Sequence, residues 1–406
     1  MMLSEREAAG QRIARARRRR GLSQAVLAGL VGRSESWLSQ VERGKRGVDS
    51  HSVLVRLADV LRVDIEELTG SADWDKTDRR AYPAASLIEQ AMMDYGALGP
   101  LDGGEETERE VSLDFLRAQA RSAYQAYQAT RYAAAARILP GLIRGVETAA
   151  RTEGSASPAA CAVRARVYDT TAALLSRVGE PFLAWAAADR AMFSAEQSGD
   201  PLLAAVSAWR LSYMITGRKH PQEALDLAMA AAAALDHTMR APTPERLSVY
   251  GALHLAAAIA AAASFDRATT QSLLATARGI ADRTGEANHM GTAFGPVNVA
   301  IHAISASLKL GDPRAATETG EAVDLAAMPV GLVGRRTQVN LDLARAYAMT
   351  RKDAAAVNLL LAAERLSPQL VRYDPATRDV LIELLRREHR PSTPELRPLA
   401  RRAGLI

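Results

Sequence analysis

The sequence predicts an all-α protein, in which a small five-helix unit containing a helix-turn-helix precedes an α-solenoid of antiparallel helix pairs. Two observations support this fold class. Near the N-terminus, two short amphipathic segments flank a glycine and each begins at a serine, which is typical of capped helices. From Val111 onward, segments of 14–20 residues rich in Ala, Leu, Arg and Glu alternate with short breaks, which is typical of stacked helix pairs.

The two short N-terminal helices are predicted to begin after Ser23 and after Ser34, with a glycine-containing turn between them. The second helix is expected to end at Gly44. Within it, Leu38 and Val41 are three residues apart, so both face inward. A helix pair of this kind can place its second helix in the major groove of DNA.

The outer face of that second helix is polar and carries Glu35, Ser36, Ser39 and Gln40, whose side chains are suited to reach base edges. The charge is also uneven. Residues 1–63 contain 13 Lys and Arg against 6 Asp and Glu, a net of +7, whereas the whole chain carries +5. The excess positive charge therefore lies on the part that is predicted to approach phosphates.

Four successive motifs carry a family resemblance. They are an Arg-rich first helix, a Leu-Ser-Gln start to the second, an apolar-Ser-Gln-apolar-Glu-Arg-Gly-Lys run in the third, and a closing amphipathic helix. In this chain they are Ile13 to Arg20, Leu22-Ser23-Gln24, Leu38 to Lys45, and Val53, Leu54, Leu57, Ala58 and Leu61. On these motifs, residues 9–69 resemble the lambda-repressor/Cro-like helix-turn-helix family, also called the Xre family. The resemblance covers about 60 of the 406 residues.

The resemblance implies a set of DNA contacts. It places near phosphates the side chains of Gln24, Trp37, Arg43 and Lys45. It places at base edges those of Glu35, Ser36 and Gln40. The rest of the predicted interface consists of Ser23, Arg33, Ser39 and Arg46.

Several of these polar residues have a second interpretation. Ser23 and Ser34 are helix caps, a role that alone accounts for them. Glu35 either accepts from a cytosine amino group or favours the positive end of the helix dipole. Trp37 is either exposed or part of the core, and exposure is favoured because Leu38 and Val41 already form the inward face of the helix. Glu42 is expected to close an ion pair or hydrogen bond inside the domain rather than to contact DNA.

Composition excludes several classes of function. Cys161 is the only cysteine, which rules out internal disulfides and cysteine-based metal clusters and fits a reducing cytosol. The N-terminus lacks an apolar signal segment, and the longest apolar run, Leu255 to Ala263, is too short to span a bilayer. No phosphate-binding Gly-rich loop, metal-ligand His spacing or Gly-x-Ser-x-Gly motif occurs. We therefore expect a cytoplasmic protein that is not an enzyme and has no cofactor, metal or membrane partner.

Breakers between Gly70 and about Glu110 indicate a domain boundary. Within this stretch, Ala84 to Tyr95 is predicted to form one connecting helix. The predicted organisation is a DNA-binding domain at 1–69, a linker with the connecting helix at 70–110, and a helical repeat domain at 111–406 that senses a ligand, dimerises, or does both.

The repeat domain contains self-similar segments about 42 residues apart. Asp312-Pro313-Arg314-Ala315-Ala316 corresponds to Asp353-Ala354-Ala355-Ala356-Val357, and Val297-Asn298-Val299 corresponds to Val339-Asn340-Leu341. The pattern resembles the tetratricopeptide family, although that family has a strict period of 34 and these units are longer. Six helix pairs are predicted, followed by helices at 374–389 and 394–403. The pairs fall at 111–152, 158–198, 201–238, 243–284, 291–327 and 331–366.

The first helices of the pairs are expected to line a concave groove that binds a ligand. Asn298 and Asn340 fall at equivalent positions, His254 falls near the corresponding position of the preceding pair, and His302 follows Asn298 by one turn. Arg335 begins the sixth pair, where it can meet a carboxylate. Asparagine suits a peptide backbone because its amide both donates and accepts. The alternative for these Asn and His residues is an ordinary hydrogen bond between packed helices.

The pairing of the two domains predicts a sequence-specific DNA-binding transcriptional regulator. Its repeat domain is expected to bind a peptide or small-molecule effector in the groove and to control the geometry of a homodimer on a double-stranded DNA operator. The alternative is an interaction scaffold tethered to DNA, in which the repeat domain binds a protein partner instead of a signal ligand.

Overall fold

The chain, in a computed structural model, is described over residues 5–48, 51–61, 63, 68, 82–94, 112–152, 157–236 and 242–406. These described residues are largely helical and include no β-strand, which confirms the all-α class. The chain divides into two compact units, Met1–Arg80 and Ala81–Ile406.

The first unit contains four helices within the described residues: α1 (Glu5–Arg19), α2 (Gln24–Leu30), α3 (Glu35–Glu42) and α4 (His51–Leu61). The two predicted serine caps are confirmed. Ser23 Oγ accepts from the backbone N–H of Val26, and Ser34 Oγ accepts from that of Trp37, each at 3.2 Å. The turn between α2 and α3 passes through Gly32 at a φ of 69°, a left-handed conformation that favours glycine.

One apolar core joins these four helices. Leu68 is also fully buried in this core, and Arg12 Nε donates to its carbonyl oxygen at 3.1 Å. Between Leu61 and Tyr82 the described residues include only 63 and 68, so the fifth predicted helix of this unit lies outside the described residues. Burial of each large aliphatic side chain contributes about 1.5–3 kcal/mol. The core residues are Ile13, Ala16, Leu27, Ala28, Val31, Leu38, Val41, Val53, Leu57, Ala58, Leu61 and Leu68.

The second unit contains sixteen described α-helices, and six consecutive pairs of them match the six predicted pairs. A single helix, α5 (Ala85–Met92), comes first. The pairs are α6 (Leu113–Gln128) with α7 (Tyr132–Thr152), α8 (Pro158–Arg177) with α9 (Pro181–Gln197), α10 (Pro201–Gly217) with α11 (Pro221–Asp236), α12 (Pro244–Ala263) with α13 (Arg267–Thr284), α14 (Pro296–Lys309) with α15 (Pro313–Glu321), and α16 (Val333–Met349) with α17 (Asp353–Leu366). The unit ends with α18 (Pro368–Tyr373), α19 (Pro375–Arg386) and α20 (Leu396–Arg402).

The helix predicted within the linker is α5, and it packs on the repeat unit. Its buried residues Ala85, Ile88, Ala91 and Met92 belong to the same apolar cluster as α6 and α7. It contacts α7 directly. This helix is therefore part of the second unit.

The first helices of the six pairs form a continuous inner layer, because each contacts the first helix of the next pair. α12 is the most buried of them. It is long and apolar enough to cross a membrane, but 83% of its most apolar 18-residue stretch is buried inside the structure. α12 is therefore accounted for as a core helix of the solenoid.

The solenoid turns back on itself. On α6, the Tyr124 hydroxyl donates to the carbonyl oxygen of Gly291, which lies between the fourth and fifth pairs. Asn288 Nδ2 in the same connection donates to Gln128 Oε1 at 2.9 Å. The backbone N–H of Ala133 donates to the Gln369 side chain of α18 at 3.1 Å. The first pair thus contacts both the connection between the fourth and fifth pairs and the helix that follows the sixth pair. The concave groove predicted from the sequence is therefore partly closed.

The segment that reaches back to α6 is residues 285–295, here called the bridging segment. Phe294 is fully buried and packs on Gly251 of α12, where an added Cβ would lie 2.0 Å from the ring. This approach requires glycine. Glu286 Oε1, near the start of the segment, accepts from the backbone N–H of Val297 in α14 at 2.6 Å. Within the segment, Asn288 Oδ1 accepts from the backbone N–H of Ala293 at 3.0 Å. These contacts fix the position of the bridging segment within the unit.

Candidate functional site

The outer face of α3 presents a row of polar side chains. At about 100° per residue, Ser36, Gln40 and Arg43 lie opposite the buried Leu38, and Ser39 lies on one flank. Ser36 and Arg43 are exposed and Gln40 is half-buried. The structure therefore brings together on one face Ser36 and Gln40, two of the three residues predicted to contact bases, and Arg43, which is predicted to contact phosphate.

Glu35 lies in the first turn of α3 and is exposed. An acidic side chain at this position is favoured by the partial positive charge of the helix N-terminus. It is equally open to a base contact, so both interpretations of Glu35 remain.

The other end of α3 is fixed by a buried carboxylate. Glu42 Oε1 accepts from Arg17 Nε at 2.6 Å, and Glu42 Oε2 accepts from Arg17 Nη2 at 2.9 Å. Gln24 Nε2 donates to Glu42 Oε2 at 2.6 Å. The hydrogen bond to Glu42 raises the pKa of Arg17. This network ties α1, α2 and α3 together, and it confirms the internal role expected for Glu42.

Two residues that the resemblance placed near phosphates also have internal contacts. The Gln24 amide donates to Glu42, so this donor is already used within the domain. Trp37 is half-buried against the core, with the Arg33 guanidinium 5.7 Å from its ring centroid. Trp37 therefore combines the two alternatives considered for it, because one part packs and another part stays accessible.

Cationic side chains lie at both ends of α3. Arg33 precedes the helix, and Arg43, Lys45 and Arg46 follow it, all of them exposed. Ser23 is exposed too, with its hydroxyl engaged in the cap of α2. Cations that flank a polar helix face are suited to contact the two phosphate backbones beside a major groove.

The partly closed inner surface of the repeat unit leaves a cavity of about 40 Å³. A space of this size holds about three water molecules or one small head group. It lies among α6, α8, α10, α16 and the bridging segment. Its lining comprises Tyr124, Tyr127, Gln128, Tyr132, Arg177, Trp209, Arg210, Gly291, Ala293, Leu332, Gly334 and Arg335.

Of the five residues predicted to bind a ligand, Arg335 alone lines this cavity. His302 is buried, and its Nδ1 lies 2.7 Å from the Asn298 carbonyl oxygen while its Nε2 lies 2.7 Å from the Tyr213 hydroxyl. Since a carbonyl only accepts, Nδ1 carries the proton and Nε2 accepts from Tyr213. Burial, with a contribution from the charge of Arg335, lowers the pKa of His302 to about 3. His302 is thus a neutral, satisfied core histidine.

His254 and Asn298 are also buried within the helix packing. His254 Nδ1 lies 2.9 Å from the Tyr250 carbonyl oxygen, and the two rings are in contact at 4.6 Å. Burial lowers the pKa of His254. Asn298 Nδ2 makes a long hydrogen bond of 3.5 Å to the Thr292 carbonyl oxygen, and its Oδ1 has no hydrogen-bond partner. These contacts match the helix-packing alternative.

Asn340 and Asn298 do not occupy equivalent positions along the inner layer. On α16, Asn340 is half-buried and lies about 200° around the helix from Gln338, whose side chain faces the inner layer. Across the two helices, Ser305 Oγ donates to Asp342 Oδ2 at 2.5 Å. Residues 37 apart are therefore neighbours here, whereas the sequence comparison matched residues 42 apart.

Most of the cavity wall consists of residues that were not predicted from the sequence. Tyr124 and Tyr127 lie on α6, Arg177 on α8, and Trp209 and Arg210 on α10. The signal that could have found the arginines is a charged residue amid small apolar residues of a first helix, as in Ala208-Trp209-Arg210-Leu211. Among the residues that the structure describes, no group of three or more His, Cys, Asp or Glu side chains is placed to hold a metal ion.

Comparison with known proteins assigns the first unit. Residues 8–69 match the helix-turn-helix domain family. The N-terminal unit is therefore a helix-turn-helix domain, and α2 and α3 are its two central helices. No curated protein matches the chain. Among solved structures, the chain is similar to PlcR of Bacillus thuringiensis in complex with the peptide PapR7 and DNA, at 13% identity and a TM-score of 0.31, over 87% of this chain and 99% of that one.

Proposed function

We propose that the chain is a sequence-specific DNA-binding transcriptional regulator of the cytoplasm, and that its repeat unit senses a signal ligand. The observation that carries the DNA-binding part is the outer face of α3. Ser36, Gln40 and Arg43 share that face, and exposed cations lie at both helix ends. The Glu42 network and the serine caps hold the helix in place, so its polar face is preorganised for the groove.

A single domain of this size reaches about half of a DNA site. Useful affinity and a two-fold operator therefore favour a homodimer. A ligand held between inner helices of the second unit would favour one arrangement of the solenoid over others, and such a shift can alter how two DNA-binding domains are spaced. The effector is a peptide or a small molecule.

A second candidate function is a scaffold that binds a protein partner, and one surface observation favours it. The outer side of α9 exposes three aromatic side chains: Phe182 at 70%, Trp185 at 40% and Phe193 at 56%. The Arg218 guanidinium lies 4.5 Å from the Phe182 ring centroid and 5.3 Å from that of Trp185. Clustered exposed aromatics with an arginine are typical of interaction surfaces.

The proposed DNA-binding function is tested by selection from a random-sequence pool of duplexes with the full-length chain. We expect one enriched sequence, or two related half-sites about one helical turn apart if the chain binds as a dimer. We further expect its affinity to exceed that for random duplex by roughly 10³-fold or more at physiological salt. A chain that retains duplexes with no enriched sequence after repeated rounds is not a sequence-specific regulator.

A further inference from the structure

Three arginines from three different helix pairs meet at the inner cavity. Arg177 comes from α8, Arg210 from α10 and Arg335 from α16. Because like charges repel and burial disfavours charge, such a cluster requires compensation. The protein itself supplies only part of it.

Arg177 is the best compensated of the three. Its Nη1 donates to Gln338 Oε1 at 2.9 Å, and the same guanidinium lies 3.9 Å from the carboxylate of Asp374. This arginine is held in place by α16 and by the start of α19 without any ligand.

Arg210 is 7% exposed, and its Nε is buried with no hydrogen-bond partner. The nearby carboxylate of Asp169 accepts from Ser207 Oγ at 3.0 Å, and its other oxygen is also unpartnered. Burial raises the pKa of Asp169 to about 6. Burial lowers the pKa of Arg210, but Tyr127, Tyr124 and Asp169 outweigh burial and raise it. Arg210 therefore lines the cavity as a compensated charge that keeps one unsatisfied buried donor, which is costly.

Arg335 is the least compensated. Burial lowers its pKa, and the charges of Arg177 and Arg210 lower it further, while Tyr213 and Tyr127 act in the opposite sense. The effect of the three guanidiniums extends to Tyr127. Burial alone would raise the pKa of that phenol, but Arg177, Arg210 and Arg335 outweigh burial and lower it. The cavity is thus strongly electropositive.

From the three arginines that line one small cavity and the unsatisfied Nε of Arg210, we infer that this site binds an oxyanion group, a carboxylate or a phosphate, of the signal ligand. This inference rests on the proposed sensing function and names the chemistry of its site. An oxyanion supplies a negative charge among the three guanidiniums, and guanidinium forks match both groups in geometry. A cavity of about 40 Å³ has room for such a head group, whereas a drug-sized ligand needs a pocket of several hundred Å³.

The test uses full-length protein with sodium phosphate or sodium acetate as probes, each compared with sodium chloride at equal ionic strength. The Arg210 guanidinium lies 4.5 Å from the Trp209 ring centroid, so occupancy of the site is expected to change tryptophan emission. We expect a saturable emission change and a rise of about 2 °C or more in melting temperature with at least one of the two anions. The anion that saturates at lower concentration identifies the head group.

Arg335→Met is the decisive variant, and Arg345→Met is its control, because Arg345 is exposed on the same helix and does not line the cavity. We expect Arg335→Met to weaken anion binding at least tenfold. It should also melt higher than the wild type in chloride, because it removes a half-buried charge that Arg177 and Arg210 repel. A higher melting temperature would show that the variant is folded, so its weaker anion binding could not be attributed to misfolding. Arg345→Met should bind anion like the wild type.

Absence of any saturable response to both anions would overturn the inference, as would equal anion affinity in the two variants. Binding to the selected duplex is measured separately. If the wild type binds that duplex but neither anion, the oxyanion site is wrong and the DNA-binding function stands. If the wild type binds an anion that Arg335→Met does not bind, the oxyanion site is supported. If the affinity of the wild type for the selected duplex is then the same with and without that anion, a regulatory role of the site is contradicted.

Discussion

Glu42→Ala is expected to destabilise the helix-turn-helix unit by about 3–5 kcal/mol, because removal of one partner strands a buried charge. The Arg17 side chain is 12% exposed and the Glu42 side chain 6%, so water cannot replace the lost carboxylate easily. Gln24 also loses its acceptor. A single core in a unit of fewer than about 80 residues rarely supplies more than 3–5 kcal/mol, so the variant unit should be largely unfolded and should not bind DNA.

Hydrogen exchange on the full-length chain measures this effect, with peptides that cover α2 and α3. We expect exchange there to approach the unfolded rate in Glu42→Ala, while peptides of the repeat unit stay unchanged. The matched control is Glu35→Ala, which removes an exposed carboxylate from the other end of α3 and should cost less than about 1 kcal/mol. Equal protection in the two variants would show that the Glu42 network does not stabilise the unit.

Acid is expected to destabilise the repeat unit through His302. Its pKa is about 3 in the folded chain against 6.5 for a free histidine, because of burial first and the charges of Arg335 and Arg177 second. A lowered histidine pKa means that the unfolded chain takes up a proton that the folded chain does not. The free energy of unfolding is therefore at its full value, as far as His302 is concerned, above pH 6.5, and it decreases as the pH falls from 6.5 toward 3. At pH 4.5 the decrease is about 3 kcal/mol.

The measurement compares the free energy of unfolding at pH 7 and pH 4.5 for the wild type and His302→Gln. We expect the decrease to be about 3 kcal/mol smaller in the variant. Asp169 has a raised pKa of about 6 and acts in the opposite sense, but it is present in both proteins and cancels. His220→Gln, at an exposed histidine, serves as the control and should behave like the wild type. An unchanged pH dependence in His302→Gln would contradict the account of its burial.

The helix boundaries were predictable because the signals that set them are local. Asp200 precedes Pro201 and caps α10 through the backbone N–H of Leu202 at 2.9 Å. Asp312 precedes Pro313 and caps α15 in the same way, through the N–H of Ala315 at 3.1 Å. Side-chain caps and proline at the first helical position are visible in a few adjacent residues. The polar outer face of α3 was predictable for the same reason.

The partial closure of the solenoid was not predictable, because it depends on contacts between residues far apart in sequence. Tyr124 and Gly291 are 167 residues apart, and Arg177 and Gln338 are 161 apart. No local pattern shows that α6 and α16 face the same space. An arginine on an alanine-rich helix, such as Arg210, has the same sequence signature whether it faces solvent or a cavity. The sequence could therefore mark Arg210 as an unusual charge on an apolar helix, but only the fold shows that Arg177, Arg210 and Arg335 line one cavity.

The register between helix pairs was also beyond the sequence. The 42-residue offset assumed that Asn298 and Asn340 are equivalent, but α14 begins only at Pro296, after the bridging segment. That late start changes which faces meet, and Ser305 therefore pairs with Asp342. Irregular connections break the simple correspondence that a repeat period implies.

If α3 reads DNA sequence, Gln40→Ala should distinguish the selected duplex from random duplex, and the affinity of this variant for both duplexes is the measurement. We predict a loss of about 1–3 kcal/mol on the selected duplex and little change on random DNA. Arg43→Ala, the phosphate-contact control on the same face, should weaken both duplexes alike and reduce the salt slope by about 1. An equal loss on both duplexes for Gln40→Ala would contradict the claim that this face reads bases.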